Sequence, residues 1–279
     1  MTMTENAPDT RPIGVFDSGL GGLTAVRSLT RILPEESLIY FGDTARVPYG
    51  NRAPATILQY ARQDVRFLRS FHLKAVVVAC GTISTTSLDV LQSENPDLPF
   101  IGVVEPSCRR AAGVTTCQRV GVIATRASIR SGAYESALHR LDPGIGVFVQ
   151  SCPLFVPLVE NGRFRPGDVV IETVAREYLA PLLDKQIDTL ILGCTHYPLL
   201  QDVIAQICGP SVTLISAGEE CAYELKRLLD ARQQRAHTSA KGEVQFYVSD
   251  QTEDFENTAS IFLRENLRHV ARRVDIEQY

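Results

Sequence analysis

The stretch that decides the fold is Ala75-Val76-Val77-Val78-Ala79-Cys80-Gly81-Thr82, and Thr189-Leu190-Ile191-Leu192-Gly193-Cys194-Thr195-His196 repeats its design. In each, a short apolar run stops at a cysteine, and small hydroxyl residues and a helical pattern follow. Both runs are therefore predicted to be buried parallel strands with the cysteine at the carboxyl end, where open α/β sheets bind ligands. Two thiols would then occupy equivalent places in two halves of one protein.

Strand-like and helix-like segments alternate along the rest of the chain. Apolar runs predict further strands at 13–16, 38–41, 100–104, 119–124, 146–150, 213–216 and 244–248. Amphipathic patterns predict helices at 23–33, 54–70, 84–92, 106–112, 127–140, 167–183, 218–233 and 254–266. Strict alternation of this kind is typical of an α/β fold whose parallel sheets are covered by helices.

One thiol-ended strand lies in each half of the chain. This predicts two pseudo-symmetric α/β domains, each a mostly parallel sheet flanked by helices, with the active site between them. Because several strand–helix units follow the second cysteine, the chain is expected to return to the first domain. The predicted divisions are a disordered tail at 1–12, a first domain of 13–104 plus 217–279, and a second domain of 105–216.

The composition indicates a protein without a nucleic-acid or membrane partner. The 279 residues include 28 Lys or Arg and 32 Asp or Glu, a net charge of −4, with no long run of one sign. Residues 1–11 are polar and unlike a secretory signal, and no apolar run reaches the ~18 residues of a membrane span. A cytoplasmic location is therefore expected, where the seven cysteines would stay reduced.

Cys80 and Cys194 are the candidate reactive thiols. Free cysteine is often buried, so the alternative for each is an ordinary core residue. Both stand between a strand and a predicted helix, where backbone N–H groups and the helix dipole are expected to lower a thiol pKa below the usual ~8.5. Cys152 precedes Pro153 at the start of a loop, which favours a structural role. The others are interpreted as packing or surface residues: Cys108, Cys117, Cys208 and Cys221.

His196 lies two residues after Cys194, so a metal site is an alternative. Zinc needs about four ligands, and Cys-Thr-His lacks the paired spacings of zinc motifs, so no metal is expected. Glu160 falls in a predicted apolar loop at 152–162, where an isolated carboxylate is costly without a partner. Glu160 is predicted to orient or polarise His196, and the alternative is a solvated loop acid.

A glycine-rich turn, Asp17-Ser18-Gly19-Leu20-Gly21-Gly22, joins the first strand to the first helix. It matches neither the P-loop, because the Lys-Ser/Thr pair is missing, nor the dinucleotide fingerprint. An acid leading the loop would also repel phosphate. We therefore predict that Asp17 holds a cationic group such as an ammonium while Ser18 and the loop amides bind oxygens. The alternative is a tight turn in which Asp17 caps the helix.

The loop after the second strand is longer than the sheet requires. Asp43, Tyr49 and Gly50 lie in it, and such loops often carry binding groups in α/β proteins. The alternative for Tyr49 is an anchor that packs under Pro48.

At these residues the chain resembles the glutamate racemases, within the cofactor-independent aspartate/glutamate racemase superfamily. The resemblance runs from residue 13 to about 216 and rests on separated blocks in the same order. They are Phe16-Asp17-Ser18-Gly19-Leu20-Gly21-Gly22, Gly42-Asp43-Thr44, Pro48-Tyr49-Gly50, Gly121-Val122-Ile123-Ala124-Thr125, Pro157-Leu158-Val159-Glu160 and Gly193-Cys194-Thr195-His196-Tyr197-Pro198.

The resemblance implies a cofactor-independent enzyme, commonly a homodimer, that interconverts L- and D-glutamate and supplies D-glutamate for peptidoglycan, cell wall and cell shape. It implies that Cys80 takes the proton from the D isomer and Cys194 from the L isomer. The other implied catalytic residues are Asp17, Glu160 and His196. The implied substrate-binding positions are Asp17, Ser18, Asp43, Tyr49, Gly50, Gly81, Thr82, Thr125, Thr195 and His196. A racemase of aspartate or another small carboxylate, and a catalytically weakened binding protein, are the alternatives.

One position departs from the family pattern. The family pattern that begins at the first catalytic cysteine is Cys-Asn-Thr-Ala. This chain has Cys80-Gly81-Thr82-Ile83 there. The family asparagine helps to hold the substrate carboxylate, and a lost hydrogen bond costs on the order of 0.5–3 kcal/mol. Ile83 is expected to narrow the pocket. Gly81→Asn is therefore expected to raise activity about tenfold, whereas a neutral or harmful result would indicate a pocket built around the glycine.

Overall fold

The computed structural model describes residues 8–263 and 270–279. Most of the predicted tail, residues 1–7, lies outside the described residues. Residues 8–12 have no regular secondary structure, yet they contact the folded protein, since Lys74 Nζ donates to the carbonyl of Asp9 at 2.6 Å.

Two parallel sheets form the centre of the protein. The first contains β1 (Ile13–Asp17), β2 (Leu38–Gly42), β3 (Ala75–Val78), β4 (Phe100–Gly102), β9 (Val244–Val248) and β10 (Ala271–Arg273), in the order β10-β9-β2-β1-β3-β4. The second contains β5 (Arg119–Ala124), β6 (Gly146–Ser151), β7 (Thr189–Leu192) and β8 (Thr213–Ser216), in the order β6-β5-β7-β8. The predicted α/β fold class is confirmed.

Helices connect the strands and cover the sheets. They are α1 (Leu23–Ile32), α2 (Pro54–Arg69), α3 (Gly81–Thr86), α4 (Leu88–Glu94), α5 (Val104–Val114), α6 (Arg126–Arg130), α7 (Ala133–Leu141), α8 (Phe155–Glu160), α9 (Val169–Leu183), α10 (Gln201–Cys208), α11 (Ala217–Ala231) and α12 (Thr252–Leu263). Within the described residues, no helix is long and apolar enough to cross a membrane.

The sheets bury the apolar runs that predicted them. Every residue of β1, β2, β3 and β7 is buried, as expected for strands covered on both faces. Strands from the beginning and the end of the chain share the first sheet, and the middle of the chain forms the second. The end of the chain therefore joins the sheet formed by its beginning, in line with the expected return to the first domain. The exact bounds of the domains stay a prediction.

Several predicted elements differ from the observed ones. The predicted helix at 127–140 is two helices, α6 and α7, because Gly132 adopts a left-handed conformation with φ 66° between them. The predicted loop at 152–162 contains α8, which accommodates Pro157 in its first turn. Strand β10 was not predicted, since three residues carry too weak a pattern. Helix α12 covers part of the predicted 254–266, and residues 264–266 lie outside the described residues.

Candidate active site

A cavity of about 290 Å³ lies between the carboxyl ends of the two sheets. Ser18 follows β1, Tyr49 follows β2 and Cys80 follows β3, and all three line it from the first sheet. Thr125 and Cys194 follow β5 and β7 and line it from the second sheet. Both predicted thiols therefore belong to the wall of one cavity. A larger cleft of about 490 Å³ runs along β8, and no predicted site residue lines it.

Of the other predicted site residues, some line the cavity and two are buried outside its lining. Those that line the cavity are Gly50, Gly81, Thr82, Glu160, Thr195 and His196, together with the five named above. Asp17 and Asp43 are buried behind the cavity wall. The structure thus brings most of the predicted site together and places two of its acids in supporting positions.

Cys80 is a buried thiol beside other polar groups of the first sheet. It is 4% exposed, and its Sγ donates to Ser18 Oγ at 3.4 Å. Burial, and then the nearby carboxylate of Asp17, raise the pKa of Cys80 to about 12. The expectation that the strand-to-helix position lowers this pKa is wrong, because loss of water outweighs the backbone donors. Cys80 is consequently a protonated thiol at neutral pH.

Cys194 has a different neighbour. Its Sγ lies 3.9 Å from His196 Nδ1, and His196 Nε2 lies 2.9 Å from Glu160 Oε1. Burial disfavours a charged imidazole, but the hydrogen bonds to Cys194 and Glu160 outweigh it and raise the pKa of His196 to about 10. An imidazolium therefore lies beside Cys194 at neutral pH.

The sequence predicts that Glu160 lies in a loop. In the structure Glu160 is instead the last residue of α8. Its side chain is 37% exposed at one end of the chain of groups Glu160–His196–Cys194. The helix places the carboxylate against the imidazole, so Glu160 has a hydrogen-bond partner while part of its side chain stays in contact with solvent.

Asp17 is 1% exposed and only partly satisfied. Its Oδ2 accepts the backbone N–H of Gly19 at 3.1 Å, and among the described residues its Oδ1 has no hydrogen-bond partner. Burial raises the pKa of this carboxyl, while the positive charge of His196 acts in the opposite direction. An unpartnered buried acceptor of this kind favours a cation or a proton.

Asp43 supports the loop after β2. Its Oδ2 accepts the Tyr49 hydroxyl and Arg46 Nε, the latter at 2.6 Å, and its Oδ1 accepts Ser249 Oγ at 2.8 Å. Arg46 also donates to Asp64 Oδ1 at 3.1 Å. The Tyr49 hydroxyl is therefore committed to Asp43, and the acid acts on the cavity by holding this loop in place.

Sequence reasoning missed Arg46 and Asp64. Arg46 follows Asp43 by three residues in a loop already singled out, so the loop itself carried a signal. Asp64 lies within amphipathic α2, where an acid is usually solvated, and nothing in the local pattern marks it as fully buried.

Threonine hydroxyls join the two sheets across the cavity wall. Thr82 Oγ1 lies 3.1 Å from Thr125 Oγ1, and Thr125 Oγ1 also accepts the backbone N–H of Ser128 at 3.3 Å. These hydroxyls follow β3 and β5, so the contact crosses from one sheet to the other. They are polar groups that a bound carboxylate can recruit.

Gly81 lies against the opposite strand end. A Cβ atom at position 81 would lie 2.5 Å from the carbonyl oxygen of Gly193. Glycine is required for this close approach, and Gly81→Asn would press a side chain against backbone. This packing argues against the expectation that Gly81→Asn raises activity and predicts a loss instead.

One further cysteine lies in the cavity wall, and the other four do not. Cys152 also lines the cavity, and its carbonyl accepts the Tyr197 hydroxyl at 3.0 Å. Cys117 is exposed, whereas Cys108, Cys208 and Cys221 are buried. Over residues 8–263 and 270–279, no group of three or more His, Cys, Asp or Glu side chains is placed to hold a metal ion.

Comparisons with known proteins show similarity in sequence and in fold. The family model described as Asp/Glu/Hydantoin racemase matches residues 13–223. A glutamate racemase from Geobacter metallireducens is 44% identical over 253 residues, which cover 91% of this chain and 93% of the relative. The crystal structure of a Francisella tularensis glutamate racemase in complex with D-glutamate has a TM-score of 0.89 and 40% identity, covering 97% of this chain and 100% of that chain. A Bacillus anthracis glutamate racemase isoform has a TM-score of 0.90 and 40% identity, covering 96% and 98%.

Proposed function

The chain belongs to the Asp/Glu/Hydantoin racemase family, and we propose that it interconverts L- and D-glutamate with Cys80 and Cys194 as its two acid–base groups. The observation that carries the proposal is that thiols from two opposed sheets line one cavity. Inversion at one carbon needs an acid and a base on opposite faces of that carbon, and they must exchange roles when the reaction reverses.

The proposed reaction moves one proton off and one proton onto Cα. For L-glutamate, the Cys194 thiolate removes the Cα proton, so a C–H bond breaks and an S–H bond forms. The electron pair left on Cα delocalises into the α-carboxylate, where hydrogen-bond donors stabilise it. The Cys80 S–H bond then breaks as its proton is delivered to the opposite face. For D-glutamate the two thiols exchange roles.

The surroundings of the thiols suit this division of roles. His196 Nδ1 lies 3.9 Å from Cys194 Sγ, so an imidazolium stands beside Cys194 and, in the part of the chain that the structure describes, none of this kind stands beside Cys80. Burial and Asp17 keep Cys80 protonated. Cys80 is therefore suited to act as the acid in the L-to-D direction, in which Cys194 is the proposed base.

The reverse direction requires a change at Cys80, and the substrate can supply it. The substrate ammonium would be attracted to the unpartnered Oδ1 of Asp17. Neutralising that carboxylate removes one of the two causes that hold the pKa of Cys80 at about 12. We propose that Asp17 attracts the ammonium from behind the cavity wall and in this way assists formation of the Cys80 thiolate.

Donors around the cavity are proposed to hold the carboxylates of the substrate. These are the hydroxyls of Ser18, Thr82, Thr125 and Thr195 and the backbone N–H of Gly50 and Gly81. Asp43 is proposed to assist through Tyr49 and the loop that both residues occupy.

The test is exchange and inversion in deuterated water. Purified protein incubated with L-glutamate without added cofactor is expected to incorporate deuterium at Cα, followed by NMR, while circular dichroism records loss of optical activity. Aspartate and other amino acids in parallel would identify a racemase of a different small carboxylate. Ligand-dependent thermal stabilisation without exchange would instead indicate a binding protein.

We further infer that the product serves peptidoglycan synthesis in the cytoplasm and that the enzyme is a homodimer, on the strength of its family. Expression in a bacterium that depends on supplied D-glutamate should restore growth, and light scattering after size-exclusion chromatography should give twice the mass of one chain. Growth that still requires D-glutamate would contradict the role in peptidoglycan synthesis. A measured mass equal to that of one chain would contradict the homodimer.

Glu160→Gln is expected to lower the pKa of His196 from about 10 toward the ~6.5 of a free imidazole. Glutamine keeps the shape but removes the negative charge that stabilises the imidazolium. Since a group with a raised pKa stays protonated up to that raised value, the variant should lose the imidazolium at lower pH than the parent protein. The measurement is an NMR titration of the His196 ring alongside kcat/KM for L-glutamate, which should fall at lower pH in the variant.

The matched control for Glu160→Gln is Glu105→Gln. Glu105 is a partly exposed acid whose ion-pair partner is Arg140, and it does not line the cavity. The control should leave both the titration of His196 and the pH profile unchanged. An unaltered His196 titration in Glu160→Gln would refute the assigned role of this carboxylate.

A further inference from the structure

The cavity wall contains three charged side chains: Arg126, Glu160 and His196. His196 and Glu160 are hydrogen-bonded to each other, so their charges largely compensate. Arg126 is exposed at the first residue of α6, and among the described residues no carboxylate forms an ion pair with it. Arg126 is therefore the charged side chain of this wall that has no ion-pair partner among the described residues.

Arg126 belongs to the part of the wall where the two sheets face each other. It follows Thr125, whose hydroxyl contacts Thr82 from the first sheet at 3.1 Å. Gly50, in the loop after β2, packs against the same threonine, because a Cβ at position 50 would lie 3.2 Å from Thr125 Cβ. Arg126, at the start of the helix that follows β5 of the second sheet, thus lies at the exposed edge of the cavity. It is next to the contacts that Thr125 makes with Thr82 and Gly50.

The charge of the proposed substrate is complementary to this arrangement. Glutamate carries two carboxylates and one ammonium, a net charge of −1 at neutral pH. The ammonium is assigned above to Asp17, and the carboxylates to hydroxyl and backbone donors, which are all neutral. The negative charge of the side-chain carboxylate therefore has no cationic partner among them, and an arginine fork is the protein group best matched to a carboxylate.

We propose that Arg126 is a specificity-determining residue that attracts the substrate and binds its side-chain carboxylate, which rests on the proposed function above. Because Arg126 is exposed, its attraction is screened by salt and its contribution is modest. It also acts before binding, since a cation at the cavity edge raises the rate at which anions enter. A second carboxylate on the ligand is the feature that it recognises.

Arg126→Gln is expected to raise KM for both enantiomers of glutamate about threefold, in the range of one exposed charge pair, with kcat nearly unchanged. Raising the salt concentration from about 0.05 M to about 0.5 M should raise KM of the parent protein and leave KM of the variant nearly constant. Arg126→Lys should recover part of the affinity, since it keeps the charge and loses the fork. Arg130→Gln, on the same helix and outside the cavity wall, is the control.

Calorimetric titration separates this inference from the racemase proposal. Glutarate, which has two carboxylates and no ammonium, should bind more weakly to Arg126→Gln than to the parent protein, whereas butyrate, with one carboxylate, should bind both equally. Absence of racemisation in the parent protein would refute the proposed function and leave this comparison intact. Equal glutarate affinity and equal salt dependence in parent and variant would overturn the role of Arg126.

Discussion

Serine in place of either Cys80 or Cys194 is expected to lower kcat for glutamate interconversion about a thousandfold, in both directions, within the range of a lost general acid or base. Both thiols line the same cavity and each turnover uses both of them, one to remove the proton and one to deliver it. A serine hydroxyl keeps the size of the thiol but ionises at far higher pH, so it cannot serve as base at neutral pH. The measurement is the rate of change in optical activity from each enantiomer.

Isotope exchange distinguishes the two thiols further. In Cys80→Ser the Cys194 thiolate is still able to remove the Cα proton of L-glutamate and return a deuteron to the same face. L-Glutamate should therefore incorporate deuterium without inverting, and D-glutamate should not exchange. Cys194→Ser should show the opposite preference, exchanging D-glutamate alone.

The matched controls are the other thiols of the chain. Cys152→Ser changes a third cysteine in the same cavity wall, and Cys117→Ser changes an exposed one. Both should retain inversion within a few-fold of the parent protein, because neither is assigned a proton transfer. Inversion that persists in Cys80→Ser and Cys194→Ser, or an equal loss in Cys152→Ser, would refute the two-thiol assignment.

The strands that end near the thiols could be predicted because their information is local. Burial on both faces makes a parallel strand a continuous apolar run, and both β3 and β7 have one. Short elements such as α8 and β10 could not be predicted, since three to six residues hold less than two periods of a helical or strand pattern. For this reason the sequence predicts a loop at Glu160, where the structure has a short helix.

The electrostatics of the site depend on contacts between distant parts of the chain. The pKa of Cys80 was predicted to fall because its local position supplies backbone donors, but burial beside Asp17 decides the outcome. Likewise Asp43 matched a binding position, and only the folded chain brings Ser249 and Arg46 to its carboxylate. Residue types and spacing identified the participants, whereas their protonation and orientation are set by the packing of two sheets.

Gly81→Asn is expected to lower kcat/KM for glutamate about tenfold or more and to lower the melting temperature, since forced overpacking typically costs about 1–3 kcal/mol. A Cβ at this position would lie 2.5 Å from the carbonyl oxygen of Gly193. That carbonyl cannot move away freely, because the backbone N–H of Gly193 donates to the Ile123 carbonyl at 2.8 Å and anchors β7 to β5. The two strand ends that carry the thiols would have to separate.

Gly81→Ala separates crowding from the missing amide. Alanine introduces the Cβ without a hydrogen-bonding group, so it should reduce kcat/KM and the melting temperature in the same direction as asparagine. If the absent family amide limits this enzyme instead, asparagine should exceed the parent protein while alanine falls below it. Gly113→Ala is the control, because a Cβ there would meet no described atom within 4 Å beyond the backbone of its own helix, and the residue lies in α5 and does not line the cavity. A gain with asparagine would therefore show that the strand ends separate easily, and a loss with both substitutions would show that Gly81 sets the spacing between the two thiols.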